Sequence, residues 1–453
     1  MESGIGAKWT QWAGGLRAAA TFSFLWTNRD GMALKRNVVI TGMGIVSPIG
    51  IGAAPFWTSL AEGRSGIRPI EVFLQGRGFS PLGGDVADFD PKQYVRPRKS
   101  LKVMSRDIQL AFAAADLAYE DGSLRGAPPD PDRIGIVMGA DMIACELSDL
   151  APTYRDCIVD GQFHYERWGA KAMTDISPLW MLKYLPNMPA CHIGIAEDIR
   201  GPTNSIVLGE VSSLAAVAEA VRALQRGQAD MMLAGGVGSR VHPIIWGRER
   251  ARQFSRCRDA AAGPCRPFDA RRDGIINGEG AATFLLETEE GARARGAKIR
   301  ARVLGFAAAF EPQPHRELPQ GKAIRAAIQR ALRDADLTPG DVGHVNAHGL
   351  STTVEDALEA QAIRDTLGDV PVTAPKSFFG NLGAGGGAVE MAVSVLAFEH
   401  GLVPRTLNYE YPDPQCPVNV IHGQSLAGAR PTAVVLNHTL LGQAIALVLA
   451  GPE

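Results

Sequence analysis

Short apolar runs rich in valine and isoleucine alternate along most of this chain with stretches in which apolar residues return every three or four positions. The runs read as buried strands at 37–44, 133–140, 230–239 and 281–288, then again at 342–349, 370–376, 431–439 and 444–451. Helical spacing falls on 105–122, on a helix opening at Val211, on 322–337, on 355–368, and on the segment after the glycine loop 383–387. Ser105 opens the first helix and Gly122 closes it, as capping chemistry favours. Such alternation predicts an α/β protein whose parallel strands are covered on both faces. The pattern runs through twice, giving halves at 32–290 and 291–453, and no short-period repeat underlies it.

Composition narrows the class. With 453 residues, 46% hydrophobic and 21% charged, the chain is long enough for two core-bearing units. A net charge of -2 gives no basic field for nucleic acid or an anionic membrane. Residues 1–31 read as a poorly ordered extension; their apolar run at 18–26 is far short of the ~20 residues that a span requires. They also lack the small-residue cleavage site of a secretory signal, so a cytoplasmic protein is expected. The six cysteines are scattered, without C-x-x-C or clustered histidines, and read as reduced thiols with no metal site.

In α/β folds, reactive groups collect where strands end. Four such places carry chemistry here: Glu210 at a strand-to-helix turn, His348 in "NAHGLSTTVEDALE", Lys376 and Asn381 in "PKSFFGNLGAGGG", and the late turn "NHTLLGQ". The run 383–387 lacks the lysine and serine of a phosphate loop and reads as close packing. Glu210 also reads as a buried acid paired with a cation such as Lys376.

The segments "VVITGMGIVSPIG", "GPTNSIVLGE", "ADMMLAGGV", "RPFDARRDGIINGEGAATFLLE", "VNAHGLSTTVEDALEAQAI" and "VPVTAPKSFFGNLGAGGGAVEMAVSVL", in this order, resemble the β-ketoacyl synthase family. The resemblance implies a thiolase-like fold, with two duplicated βαβαβαββ halves in a layered αβαβα arrangement. It also implies a dimer, and a site that handles chains on the phosphopantetheine arm of acyl carrier protein, with no cofactor of the protein's own. Condensing members carry a cysteine where Glu210 stands, a histidine at His348 and a second histidine where Asn381 stands. Lys376, Glu359 and Asp356 match supporting positions. Leu441 falls at the gate of the late turn, where the family is glycine-rich with a phenylalanine.

Condensation needs a group that forms a thioester and later releases it, and thiolate does both. A carboxylate would give a reactive anhydride. A charged Glu210 would also oppose a malonyl carboxylate by about 4 kcal/mol at a few ångströms and an effective dielectric near 20. Whether the chain is an enzyme at all is left open. One reading is a subunit similar to chain length factors, without condensing activity, paired with itself or with an active ketosynthase. The other is a malonyl decarboxylase or atypical synthase in which His348 and Asn381 stabilise an enolate oxygen. That second reading requires a protonated, glutamine-like Glu210.

Overall fold

The computed structural model describes residues 36–70, 82–248, 253–313 and 318–452; the extension at 1–31 lies outside them. From the first half the main sheet takes β1 (Val38–Ser47), β2 (Ile134–Gly139), β3 (Thr203–Ile206), β4 (Met231–Ser239) and β5 (Glu279–Thr288). From the second it takes β6 (Ala301–Phe310), β7 (His344–Asn346), β8 (Pro371–Thr373), β9 (Asn419–Val420), β10 (Thr432–His438) and β11 (Gln443–Ala450).

The order across the sheet is β9-β8-β7-β10-β11-β6-β1-β5-β4-β2-β3. Followed outward from the middle, β1-β5-β4-β2-β3 and β6-β11-β10-β7-β8 are the same path, with β9 added at one edge. The duplication expected from the sequence is thus present in the strand order. The two paths meet along a short seam, where Val38, Val39 and Ile40 pair with Val303, Arg302 and Ala301.

The sheet is mixed, which corrects the expectation of parallel strands throughout. Pairs around β2 and β7 are parallel, whereas β1, β4, β5, β6, β10 and β11 form antiparallel pairs in the middle. The tight turn between β10 and β11 explains part of this, because parallel neighbours need a long crossover.

Helices α1 (Arg106–Asp121), α2 (Ser212–Gln225), α3 (Lys322–Asp334), α4 (Glu355–Leu367) and α5 (Gly386–His400) complete the layers. Leu214 and Leu224 of α2 and Val389 and Leu396 of α5 share one core with Phe284 and Leu286 of β5 and with Ile445 and Leu447 of β11. Each such aliphatic side chain taken from water contributes roughly 1.5–3 kcal/mol, so this middle layer joins the halves. On one outer side Ile108 and Ala115 of α1 pack on Ile136 and Leu285. On the other, Ile324, Ile328 and Ile363 of α3 and α4 cover Val345, Val434 and Val448. The result is the αβαβα arrangement of the thiolase-like fold. Helix α5 is buried from Gly386 to Ala397, as a central helix must be. A Cβ on Gly387 would lie 2.1 Å from Asn437 Oδ1, so the glycine loop lets α5 approach β10 directly.

Candidate functional site

Strand β3 leads into a turn in which Gly209 takes φ +63°, a conformation that glycine adopts without strain. The Ser212 hydroxyl accepts from Leu208 N at 2.8 Å and donates to Gly209 O at 2.7 Å, locking the turn onto the start of α2. Glu210 is therefore held at the apex with 5% of its surface exposed. Its Oε1 lies 3.6 Å from Arg240 Nη2, and the same guanidinium nitrogen is 2.8 Å from Asp141 Oδ2. Lys376 is not the cation that Glu210 pairs with, which corrects the sequence expectation. The Lys376 ammonium donates to Glu390 Oε1, to His348 Nδ1 at 3.0 Å and to His348 O at 2.8 Å. An ammonium has three donors, and these three contacts use all of them.

His348 leaves the end of β7 for the same cluster. Asn437 Nδ2 also approaches His348 Nδ1, at 3.2 Å, and donates to Glu390 Oε2 at 2.7 Å. Two donors converge on Nδ1, so the proton of the neutral ring sits on Nε2. Glu359 on α4 accepts the backbone N–H groups of His348 and Gly349 at 2.6 and 2.8 Å, fixing the strand end. His438, at the end of β10, packs its ring 4.8 Å from that of His348 and sets Nε2 3.7 Å from Glu359. Burial works against a charged His438, but the Glu359 and Glu355 carboxylates together outweigh it and raise the ring above the usual histidine value. Burial likewise leads the shift at Glu390, whose carboxyl stands above the ordinary range despite Lys376.

Asp356 feels the Glu359 carboxylate electrostatically, but its hydrogen bonds go to neighbouring loops. Its carboxylate accepts from Phe268 N at 2.9 Å and Thr352 N at 3.3 Å, and burial pushes it up to about 7. Its role here is to tie loops. Asn381 Oδ1 accepts from Gly383 N at 3.0 Å, while its buried Nδ2 has no hydrogen-bond partner among the described residues. Leu441 does not face the site: it is 70% exposed. Leu441 N bonds Thr439 Oγ1 at 3.2 Å and Gly442 N bonds Thr439 O at 3.1 Å, a tight turn that throws the leucine outward. Thr439 is the residue brought to the elbow, with its methyl carbon 3.9 Å from where a Gly209 Cβ would be.

Cys265, which contacts Lys376, offers no substitute nucleophile. Cys265 Sγ donates to Lys376 O at 3.2 Å, and burial pushes this thiol up to about 12, where thiolate is scarce at neutral pH.

Beside the elbow lies a cavity of about 240 Å³ that Asp107, Asp141, Ser239, Arg240 and Arg248 line together with Met142, Ile245 and Ala384. Burial, then the nearby Glu279, pushes Asp107 up to about 7. Two acids and two arginines give this cavity a charged wall.

Sequence reasoning missed Arg240, Glu390, Asn437 and His438. Glu390 carried a signal, because it is the lone acid in the apolar run 388–397 and a buried acid needs a partner. His438 and Asn437 stood in the late turn without being singled out.

Comparison with known proteins places these residues in context. The family models described as β-ketoacyl synthase, N-terminal domain, and β-ketoacyl synthase, C-terminal domain, match residues 35–292 and 300–410. The chain is 34% identical over 399 residues to 3-oxoacyl-(acyl-carrier-protein) synthase 2 of Synechocystis sp., covering 87% of this chain and 92% of that one. Among solved structures it is similar to the ishigamide ketosynthase/chain length factor, with a TM-score of 0.80, 28% identity, and coverage of 92% of this chain and 100% of that one. It is also similar to a chain of AntDE:AntF, a type II polyketide acyl-carrier protein in complex with its ketosynthase bound to the hexaketide. There the TM-score is 0.78 and the identity 28%, over 92% of this chain and 100% of that one.

Proposed function

The chain belongs to the β-ketoacyl synthase family, and from that premise we propose that it is a chain-length-factor-like subunit that does not itself condense acyl chains. It is a ketosynthase-like protein of fatty-acid or type II polyketide synthesis. Its partners in this reading are an active, cysteine-bearing ketosynthase and the acyl carrier protein, whose phosphopantetheine arm presents the chain.

The observation that carries the reading is the Glu210–Arg240 pair at 3.6 Å. No sulfur stands at the elbow to hold an acyl group, and an adjacent guanidinium favours a charged carboxylate. The pairing works against the neutral, glutamine-like group that decarboxylation there would want, and a carboxylate at this point would repel a malonyl carboxylate. Edge strand β3 supports the pairing, since its outer side is unpaired among the described residues and the residue that follows it, Val207, is apolar and 46% exposed.

A second reading, malonyl decarboxylation, draws on one specific feature. His348 Nε2–H and the unpartnered Asn381 Nδ2 are two donors of the kind that stabilise an enolate oxygen.

The test is to incubate the pure protein with malonyl-loaded carrier, with and without a cysteine-bearing ketosynthase. The proposal expects no acetyl-carrier from the chain alone, and elongated product only with the partner. Acetyl-carrier formed by the isolated chain, and lost in His348→Ala, would overturn it in favour of decarboxylation.

A further inference from the structure

Arg240 leaves the end of β4, where its backbone is pinned on both sides: Arg240 N donates to Gly278 O at 3.0 Å and Asn277 Nδ2 donates to Arg240 O at 3.0 Å. Its side chain runs past Gly383, whose missing Cβ would lie 2.1 Å from Arg240 Nε, so this loop is shaped around the arginine. The head group then binds Asp141 at 2.8 Å and Glu210 at 3.6 Å. Arg240 and Asp141 line the 240 Å³ cavity and Glu210 does not. From the cavity, the elbow is therefore reached past this ion chain.

We propose that Arg240 is a plug, a specificity-determining residue that shuts the cavity off from the elbow, so that the missing thiol is only the first of two blocks to covalent loading. The proposal rests on the reading of the chain as non-condensing and deepens it. An acyl chain entering from the cavity would displace or desolvate a buried charged pair, which low-dielectric surroundings penalise. Replacing Glu210 by cysteine supplies the nucleophile without opening the route. It also places the new thiol beside a cation, which favours thiolate.

The experiment compares Glu210→Cys with Glu210→Cys/Arg240→Ala. Two probes are used, iodoacetamide and the octanoyl thioester of N-acetylcysteamine, with peptide mass mapping to resolve the site. In the acyl transfer the introduced sulfur forms a bond to the octanoyl carbonyl carbon. The donor's carbon–sulfur bond breaks, and the departing N-acetylcysteamine thiolate takes up the proton that the introduced thiol gave up.

The single variant should be alkylated readily at neutral pH yet take no octanoyl group. The double variant should acylate at least about tenfold faster than the single while its alkylation slows, because opening the route and removing the cation act in opposite directions on the two probes. Equal octanoylation of single and double would overturn the proposal. So would a double variant that iodoacetamide reaches and the octanoyl donor does not. If the double variant lacks a cooperative melt, Arg240→Ser in the same background decides by the same two criteria. Neither measurement involves a ketosynthase partner or malonyl donor. Condensation by the wild-type chain would refute the non-condensing reading while leaving this comparison intact.

Discussion

Removing Arg240 should destabilise the fold far more than neutralising Glu210, and the two changes should not add. The pair is 3.6 Å apart, with side chains 8% and 7% exposed. Coulomb's law at an effective dielectric near 20 gives about 5 kcal/mol for unit charges at that distance, before desolvation is subtracted. Arg240→Met removes the cation that faces the buried Glu210, for which the expected loss is about 3–5 kcal/mol. Glu210→Gln leaves Arg240 its contact with Asp141, which is 38% exposed and screened, so the loss should be about 1–3 kcal/mol. The double variant strands no buried charge at this pair, and a coupling of about 2–3 kcal/mol is expected. The assay is urea unfolding at neutral pH followed by far-UV circular dichroism, on all four members of the cycle. Additivity within about 0.5 kcal/mol would refute the reasoning, because it would mean that the two groups do not feel each other in the folded chain.

Lys376→Met should cost a similar amount, about 3–5 kcal/mol in urea unfolding, because it removes the cation paired with the fully buried Glu390. Adding Glu390→Gln should recover part of that loss. Asp107→Asn should change how stability varies with pH. Asp107 has its folded-state value raised from 3.8 to about 7, so the folded chain keeps a proton that the unfolded chain has released. Its contribution is present below the unfolded value and is lost as pH rises toward about 7. The variant should therefore show a shallower fall in unfolding free energy between those limits, whereas an unchanged slope would contradict the assignment.

Much of the architecture was legible because hydrophobic period and capping agree with the final elements. The helix expected at 105–122 is Arg106–Asp121 with Ser105 as its cap, and the strand expected at 230–239 is Met231–Ser239. The direction of pairing was less legible, since an apolar run reads the same in either orientation. The elbow could be placed because a short apolar run, a glycine and an amphipathic helix follow in sequence. The partner of Glu210 could not, because Arg240 reaches it only through the close packing of β4, the glycine loop and α2. The motif places Lys376 near the site, yet its partner is Glu390 from within α5. The gate position of Leu441 rests on resemblance to the family's late turn. The actual hydrogen bonds of that turn, centred on Thr439, set which side chain points inward.

The most direct test of the whole account is the intact mass of the isolated wild-type chain after exposure to an acyl-loaded carrier, followed by malonyl-loaded carrier and analysis for 3-oxoacyl product. The account predicts an unmodified mass and no product. A stable acyl adduct on the isolated chain, or elongation without a second ketosynthase, would contradict it.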